Sequence, residues 1–335
     1  MTRNIDRRFI LRAGSALAAT SMLPRQLMAG DTRLEDVPRS DYGFATTCDE
    51  VTAGSDLSGM TVLITGCNSG LGYESMRTLA AHGAHVIGTG RTMEKAQVAC
   101  DSVTGKTTPL VCELTDFPSI VACADAVAAM DVPLDVLMCN AGIMALPKLE
   151  QVNGLEKQFV VNHLGHYLLT RRLLGQVEAA PAGRIVMLSS EGYRLAPPEG
   201  IQFDNLSGEK GYKAFKAYGQ TKLANALFSR ELARRYADTP LTSNAVHPGL
   251  VATNLARYFM TQPRDPDEPL RKGFKTADQG ASTQVYCAID ANLDGVSGFY
   301  FEDCNPVEPD GPHMHDDALA LKLWDVSEEL TAEYL

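Results

Sequence analysis

The sequence predicts an α/β chain, a doubly wound and mostly parallel sheet with helices on both faces, and three observations carry that prediction. The stretch "TVLITG" (61–66) followed by "CNSGLGYESMRTLAAHGAHVIGTGR" (67–91) reads as strand, glycine loop, helix and strand, a βαβ unit. Short apolar runs of strand character recur downstream in "VLMCNAG", in "GRIVMLSS" and before "VHPGLVAT". No Pro/Ser-rich linker, charge block or internal repeat divides the chain after residue 60, so one large domain is expected.

Composition narrows the function classes. With 45% hydrophobic and 21% charged residues the 335-residue chain has an ordinary globular balance. Five arginines against Asp6 give residues 1–29 a net +4, which leaves −15 on the rest of a chain whose total is −11 (−11 minus +4). So acidic a body disfavours nucleic acid and anionic membrane, since both call for a positive face. The eight cysteines show no CxxC pair and no metal-ligand spacing, so no metal site is expected, and whether any of them pair is left open.

At the N-terminus, "DRRFILRAGSALAATSML" (6–23) holds an apolar run broken by Arg12, Gly14 and Ser15, short of the roughly 20 apolar residues that a membrane span needs. Paired Arg7 and Arg8, the short apolar stretch and Leu27-Met28-Ala29 resemble a twin-arginine export signal. The expected organisation is a leader over 1–29, cleaved near Ala29, an extension over 30–58 and a folded domain over 59–335. A periplasmic location follows, with a cytoplasmic one as the alternative.

In the βαβ unit, Met76, Leu79 and Ala80 recur at helical spacing and Gly83 ends the helix. Gly66, Gly70 and Gly72 leave the turn and first helical residues without side chains, so a dinucleotide's pyrophosphate can approach the N–H groups of the helix N-terminus. Asn68, Ser69 and Leu71 of the same loop join the candidate set. At the end of the second strand an acidic residue would hold the ribose 2′-hydroxyl, but Gly90 and then Arg91 stand there. A guanidinium grips a 2′-phosphate that a carboxylate would repel, so NADP(H) is the expected cofactor.

Further on, "AYGQTKLANALFSREL" (217–232) has helical periodicity through Leu223, Ala226, Leu227 and Leu232, which puts Tyr218 and Lys222 on one helix face. The pair suits carbonyl/alcohol chemistry, because a nearby ammonium and an oxidised nicotinamide both favour a phenolate and so tune the tyrosine as proton donor or acceptor. The strand "GRIVMLSS" ends in Ser189-Ser190, whose hydroxyls are donors for an oxygen where charge develops.

Together, the T-G-x-x-x-G-x-G spacing from Thr65 to Gly72, "NAG" at Asn140, Ala141 and Gly142, the Ser189-Ser190 strand end and Tyr218-x-x-x-Lys222 resemble the short-chain dehydrogenase/reductase family. The resemblance implies a Rossmann-type domain and a catalytic tetrad of Asn162, Ser190, Tyr218 and Lys222, with Asn162 positioning a relay water and Lys222 also holding the ribose. It places Glu113 and Leu114 of "VCELTD" beside the adenine, where the family usually has Asp-Leu. It also brings Ala141 and Gly142 to the cofactor through a motif in which Cys139 replaces the usual first Asn. Pro248, Gly249, Val251 and Thr253 of "VHPGLVAT" are implied around the nicotinamide carboxamide.

His163 and His166, flanking Asn162, are expected to be packing or dimer-face residues. Stretches such as "GLEKQFVVNHLGHYLLT" and "YGQTKLANALFSREL" look like the retinol dehydrogenase and WW-domain oxidoreductase branch, with light-dependent protochlorophyllide reductase as a neighbour. That branch implies an apolar carbonyl or alcohol substrate, its pocket drawn from 191–216 and from 250–274 with Tyr258, Phe259 and Met260; a homodimer is the possible assembly. The alternatives are a protochlorophyllide-reductase-like double-bond reductase, and a redox sensor or scaffold that binds the dinucleotide without turnover.

Overall fold

A computed structural model describes residues 27–28, 33–253, 255 and 269–335. Its main sheet has eight strands: β1 (Thr61–Ile64), β2 (His85–Gly90), β3 (Lys106–Val111), β4 (Val136–Cys139), β5 (Arg184–Leu188), β6 (Thr242–His247), β7 (Tyr300–Glu302) and β8 (Asn305–Val307). Their spatial order is β8-β7-β6-β5-β4-β1-β2-β3, parallel throughout except for the β7–β8 hairpin. The strand order reverses at β1, between β4 and β2, and the crevice outside such a reversal is where open α/β sheets bind ligands.

Alternation along each strand explains the uninterrupted apolar runs. Val62 and Ile64 enter one core while Leu63 enters the other, and Val136 and Met138 likewise oppose Leu137 and Cys139. One core is closed by α1 (Gly70–Ala81), α2 (Met93–Asp101) and α6 (Ala277–Ile289), through Met76, Leu79, Cys100 and Val285. The opposite core is closed by α3 (Phe117–Ala128), α4 (Gly165–Glu178), α5 (Ala214–Arg235) and α7 (Asp317–Thr331), through Ile120, Tyr167, Phe228 and Trp324. Every residue of α5 from Tyr218 to Ser229 is buried, so its polar side chains must find partners inside the protein.

Two features go beyond the expected pattern. The helix carrying Asn162 is not uniformly α: Lys157–Phe159 leads into a π turn over Val160–Leu164 before α4 begins. Single π turns concentrate at functional sites because they displace one residue out of the regular spiral. The segment before β1 packs on the α6 side, where Cys48 N donates to Asp278 Oδ1 at 2.9 Å and Ser40 Oγ to the Cys304 carbonyl at 2.8 Å. Leu27–Met28 pairs in parallel with Val296–Ser297. The rest of the expected leader, Ala29 included, lies outside the described residues, as do Tyr258, Phe259 and Met260. All eight cysteines are buried free thiols. Among the described residues no helix is long and apolar enough to cross a membrane, and no cluster of metal-ligating side chains is found.

Candidate active site

Two halves of a site meet at the C-terminal ends of β1, β4 and β5. At the dinucleotide half, α1 starts after Ser69 with no side-chain cap, so its first N–H groups are available to an anion. Gly72 is demanded by packing: a β-carbon there would lie 2.4 Å from the Gly66 carbonyl oxygen and 2.5 Å from Asn140 Nδ2. Val251 and Leu71 both press on Gly280 of α6, and Thr253 lies against Gly70, so the "VAT" segment rests on the glycine loop. Beside Gly249, the fully buried Lys275 packs its side chain and pairs with Asp303 at 2.5 Å.

Arg91 is exposed and has no ion-pair partner among the described residues. Nearby, a cavity of about 350 Å³ is lined by Asn68, Tyr73, Glu94, Lys95 and Ser102. Lys95 was not singled out by the sequence; its signal is its place on the first turn of α2, where Thr92 caps its N–H. Glu113 turns its carboxylate back on its own loop, accepting from Thr115 N at 3.0 Å and Thr115 Oγ1 at 2.9 Å. Leu114 is buried against Gly165 at the start of α4.

At the other half, Ser190, Tyr218, Lys222 and Asn162 come together. Ser189 Oγ donates to the Lys222 carbonyl at 2.7 Å and is fully engaged in holding β5 to α5, whereas Ser190 hydrogen-bonds Tyr218. A turn over Glu191–Leu195 lies flat on α5: β-carbons at Gly192 and Gly219 would come within 2.7 Å of the Tyr218 ring and 2.6 Å of Ala196 N respectively. Lys222 Nζ sits 5.6 Å from the Tyr218 ring centroid and donates to the Leu188 carbonyl at 3.0 Å. Asn162 Nδ2 donates to the Ile143 carbonyl and to Thr221 Oγ1, while its Oδ1 accepts from Ile143 N. A β-carbon at Gly142 would sit 3.3 Å from Asn162 Oδ1 and 3.9 Å from Lys222 Nζ, so the "NAG" turn lies against both.

Burial dominates the protonation of this half. It raises Tyr218 to about 12, with the Ser190 hydrogen bond pulling the other way, and lowers Lys222 to about 7. In the free protein the pair therefore rests as a neutral phenol beside an amine poised near neutrality. Of the two expected causes of a phenolate, the ammonium does not set Tyr218 in the free protein, where burial outweighs it.

A polar belt below the site joins its two halves. Asn140 N and Ala141 N both donate to Thr65 Oγ1 at 2.9 Å, which uses both lone pairs, so the hydroxyl proton goes to His166 Nε2 at 2.9 Å. His166 Nδ1–H then donates to the Asn162 carbonyl at 3.0 Å. This neutral tautomer agrees with burial holding His166 down at about 4. Asn140 Nδ2 donates to the Thr65 carbonyl and its Oδ1 accepts from Gln284 of α6, so Asn140 makes the strand bridge to which Cys139, with only a 3.6 Å contact to Thr170 Oγ1, contributes little. Both His163 and His166 are fully buried, so of the two expected roles for them only packing stands.

Comparison with known proteins agrees with this architecture. The sequence profile of the short chain dehydrogenase family matches residues 60–264. The chain is 38% identical to the short-chain dehydrogenase TIC 32 B of Brassica napus, over 87% of this chain and 95% of that one. It is 37% identical to the human WW domain-containing oxidoreductase (91% and 76% covered) and 38% identical to human retinol dehydrogenase 14 (81% and 86% covered). A crystal structure of an uncharacterised Mycobacterium paratuberculosis protein superposes with a TM-score of 0.66 at 32% identity, covering 84% of this chain and 97% of that one. The chain thus belongs to the short-chain dehydrogenase/reductase family, oxidoreductases that work with a nicotinamide dinucleotide.

Proposed function

We propose that this enzyme interconverts a carbonyl and an alcohol on an apolar substrate with NADP(H), using Tyr218, Ser190, Lys222 and Asn162. The observation that carries the reading is the meeting of these four side chains at strand ends that also hold the glycine loop. A nicotinamide dinucleotide supplies or accepts the hydride. Tyr218, a neutral phenol in its buried setting, gives its proton to the carbonyl oxygen in reduction and retrieves it from the alcohol in oxidation. Ser190 holds that oxygen where charge develops, and Lys222 has ammonium hydrogens beyond the one on Leu188 to offer a ribose hydroxyl. Asn162, locked to Ile143 and Thr221, keeps the π turn and the "NAG" turn in register.

Support for an apolar substrate comes from exposed apolar side chains on elements next to the site, Leu195 of the Glu191–Leu195 turn, Phe215 of α5, and the paired Leu250 and Phe274 after Pro248-Gly249. The likeness to retinol dehydrogenase 14 points the same way. The test is NADPH oxidation with a panel of apolar aldehydes and ketones, decanal and retinal among them; no turnover with any, from protein that binds NADPH, would favour a binder without catalysis.

For the cofactor, the exposed Arg91, without an ion-pair partner among the described residues, and Lys95 four residues on support NADP(H) over NAD(H). Arg91→Ala is expected to weaken NADPH binding by roughly 1.5 to 3 kcal/mol, about ten- to 150-fold, as for a lost charged hydrogen bond. NADH binding should hardly change; equal losses in a fluorescence titration would exclude a role at the 2′-phosphate. The N-terminal Arg7-Arg8 pattern supports twin-arginine export to the periplasm. Cell fractionation should find the wild type in the periplasm and Arg7→Lys/Arg8→Lys in the cytoplasm, and wild type retained in the cytoplasm would refute it.

A further inference from the structure

Behind Lys222, on the side of α5 away from the glycine loop, a file of buried polar groups leads out to the C-terminal helix. The Leu188 carbonyl accepts two hydrogen bonds, from Lys222 Nζ at 3.0 Å and from Asn225 Nδ2 at 3.0 Å. That fills both lone pairs and settles the Asn225 amide, because only its NH₂ can face a carbonyl. Its Oδ1 therefore points the other way, fully buried and without a partner in range. His163 Nδ1 is in the same condition, while His163 Nε2 lies 2.9 Å from Ser327 Oγ on α7. Burial holds the His163 imidazole down at about 3, and the neighbouring Asn225 side chain acts weakly the other way. One tautomer orients the whole file: Ser327 donates to Nε2, the Nδ1–H turns toward the buried Asn225 Oδ1 without closing a hydrogen bond, and Asn225 donates to Leu188. The rings of Phe159, Tyr167 and Phe228, with centroids 5.2, 6.2 and 5.8 Å away, box the imidazole in place.

We propose that Asn225 is a positioning residue for Lys222, and that His163, anchored by Ser327 of the C-terminal helix, holds the Asn225 amide in the orientation that does this. The inference rests on Lys222 being part of the proton path. Leu188 is the last residue of β5, immediately before Ser189 and Ser190, so fixing its carbonyl fixes the Lys222 head group and the strand end bearing Ser190 together. The Asn225 N–H also sets the positive end of a bond dipole on the same oxygen as the ammonium, which disfavours the charged lysine. The titratable groups facing Lys222 are Tyr218 on its own helix and His166 from α4.

The test compares the full chain with Asn225→Leu, His163→Phe, their double variant and Lys222→Met. Two readouts are used: NMR titration of the lysine side chains in cofactor-free protein, and NADPH oxidation with the panel aldehyde turned over fastest. Asn225→Leu and His163→Phe should each move the Lys222 midpoint upward from about 7, and in alcohol oxidation the alkaline limb of the pH profile should rise with it. Each should lower kcat roughly ten- to a hundredfold, the scale of a misplacement on the order of 1 Å, with the KM for NADPH within about twofold. The double variant should be no worse than the poorer single one, the mark of groups acting in one file. Additive losses with an unmoved Lys222 midpoint would overturn the proposal, as would unchanged kcat in both singles. Should Asn225→Leu fail to fold, His163→Phe keeps the ring volume and carries both readouts. A Lys222→Met enzyme with near wild-type turnover would overturn the reading of the site itself, and this inference with it.

Discussion

Tyr218→Phe is expected to reduce turnover at least about 100-fold, the lower end of what a positioned general acid or base contributes. The substitution removes one oxygen from a side chain that is 4% exposed and whose ring lies against Gly192, so the packing survives. The hydroxyl's role is expected to appear in kcat rather than in binding, because the phenol touches the reacting oxygen only as the proton moves. Steady-state oxidation of NADPH with a panel aldehyde, next to a fluorescence titration of NADPH, separates the two. A variant near the wild-type rate would mean that another group supplies the proton. Of the other groups, His166 is poorly suited, since both its ring nitrogens are occupied, by Thr65 Oγ1 and the Asn162 carbonyl. His247 is also a poor substitute: burial lowers it to about 4, and its Nδ1 accepts from Glu191 N at 3.3 Å.

The parts of this site that could be read in the sequence are those in which backbone geometry restricts the residue type. Gly72 must lack a side chain because the Gly66 carbonyl and Asn140 occupy the space, and that requirement shows as a glycine at fixed spacing. Tyr218 and Lys222 show as a four-residue step on a helix, and the strands show as apolar runs because both faces of the sheet are covered. The polar belt left no such mark. Thr65, His166, Asn225 and Gln284 find partners 37 to 209 residues away, and no local period encodes that pairing. Ser189 and Ser190 are equivalent as letters, and only the fold shows one bound to the Lys222 carbonyl and the other turned to Tyr218. The π turn at Asn162 was equally silent, because "VVNHL" continues a helical pattern.

Lys222→Met should abolish most of the turnover and yet stabilise the cofactor-free protein, by an amount that depends on pH. Burial lowers Lys222 to about 7 in the folded state against 10.5 for the free side chain. Between these values the unfolded chain binds the proton and the folded one does not, so wild-type stability rises with pH across that window. Below about 7 both states carry the proton and the folded state bears the full cost of a buried ammonium. Removing the amine should then raise stability on the order of 2 kcal/mol or more at pH 6, with the gain shrinking steadily toward pH 10. The Leu188 carbonyl keeps the Asn225 amide as partner, so the substitution strands no acceptor, and methionine fills the space with a flexible apolar chain. Thermal unfolding of both proteins at pH 6, 8 and 10 measures it: melting points of wild type and variant should converge as pH rises. A gap that is constant with pH, or one that widens, would mean that Lys222 is not a strained buried base in the free enzyme. A pH-dependent gap of that sign is what a buried amine, held by the Leu188 carbonyl and otherwise out of water, imposes on folding.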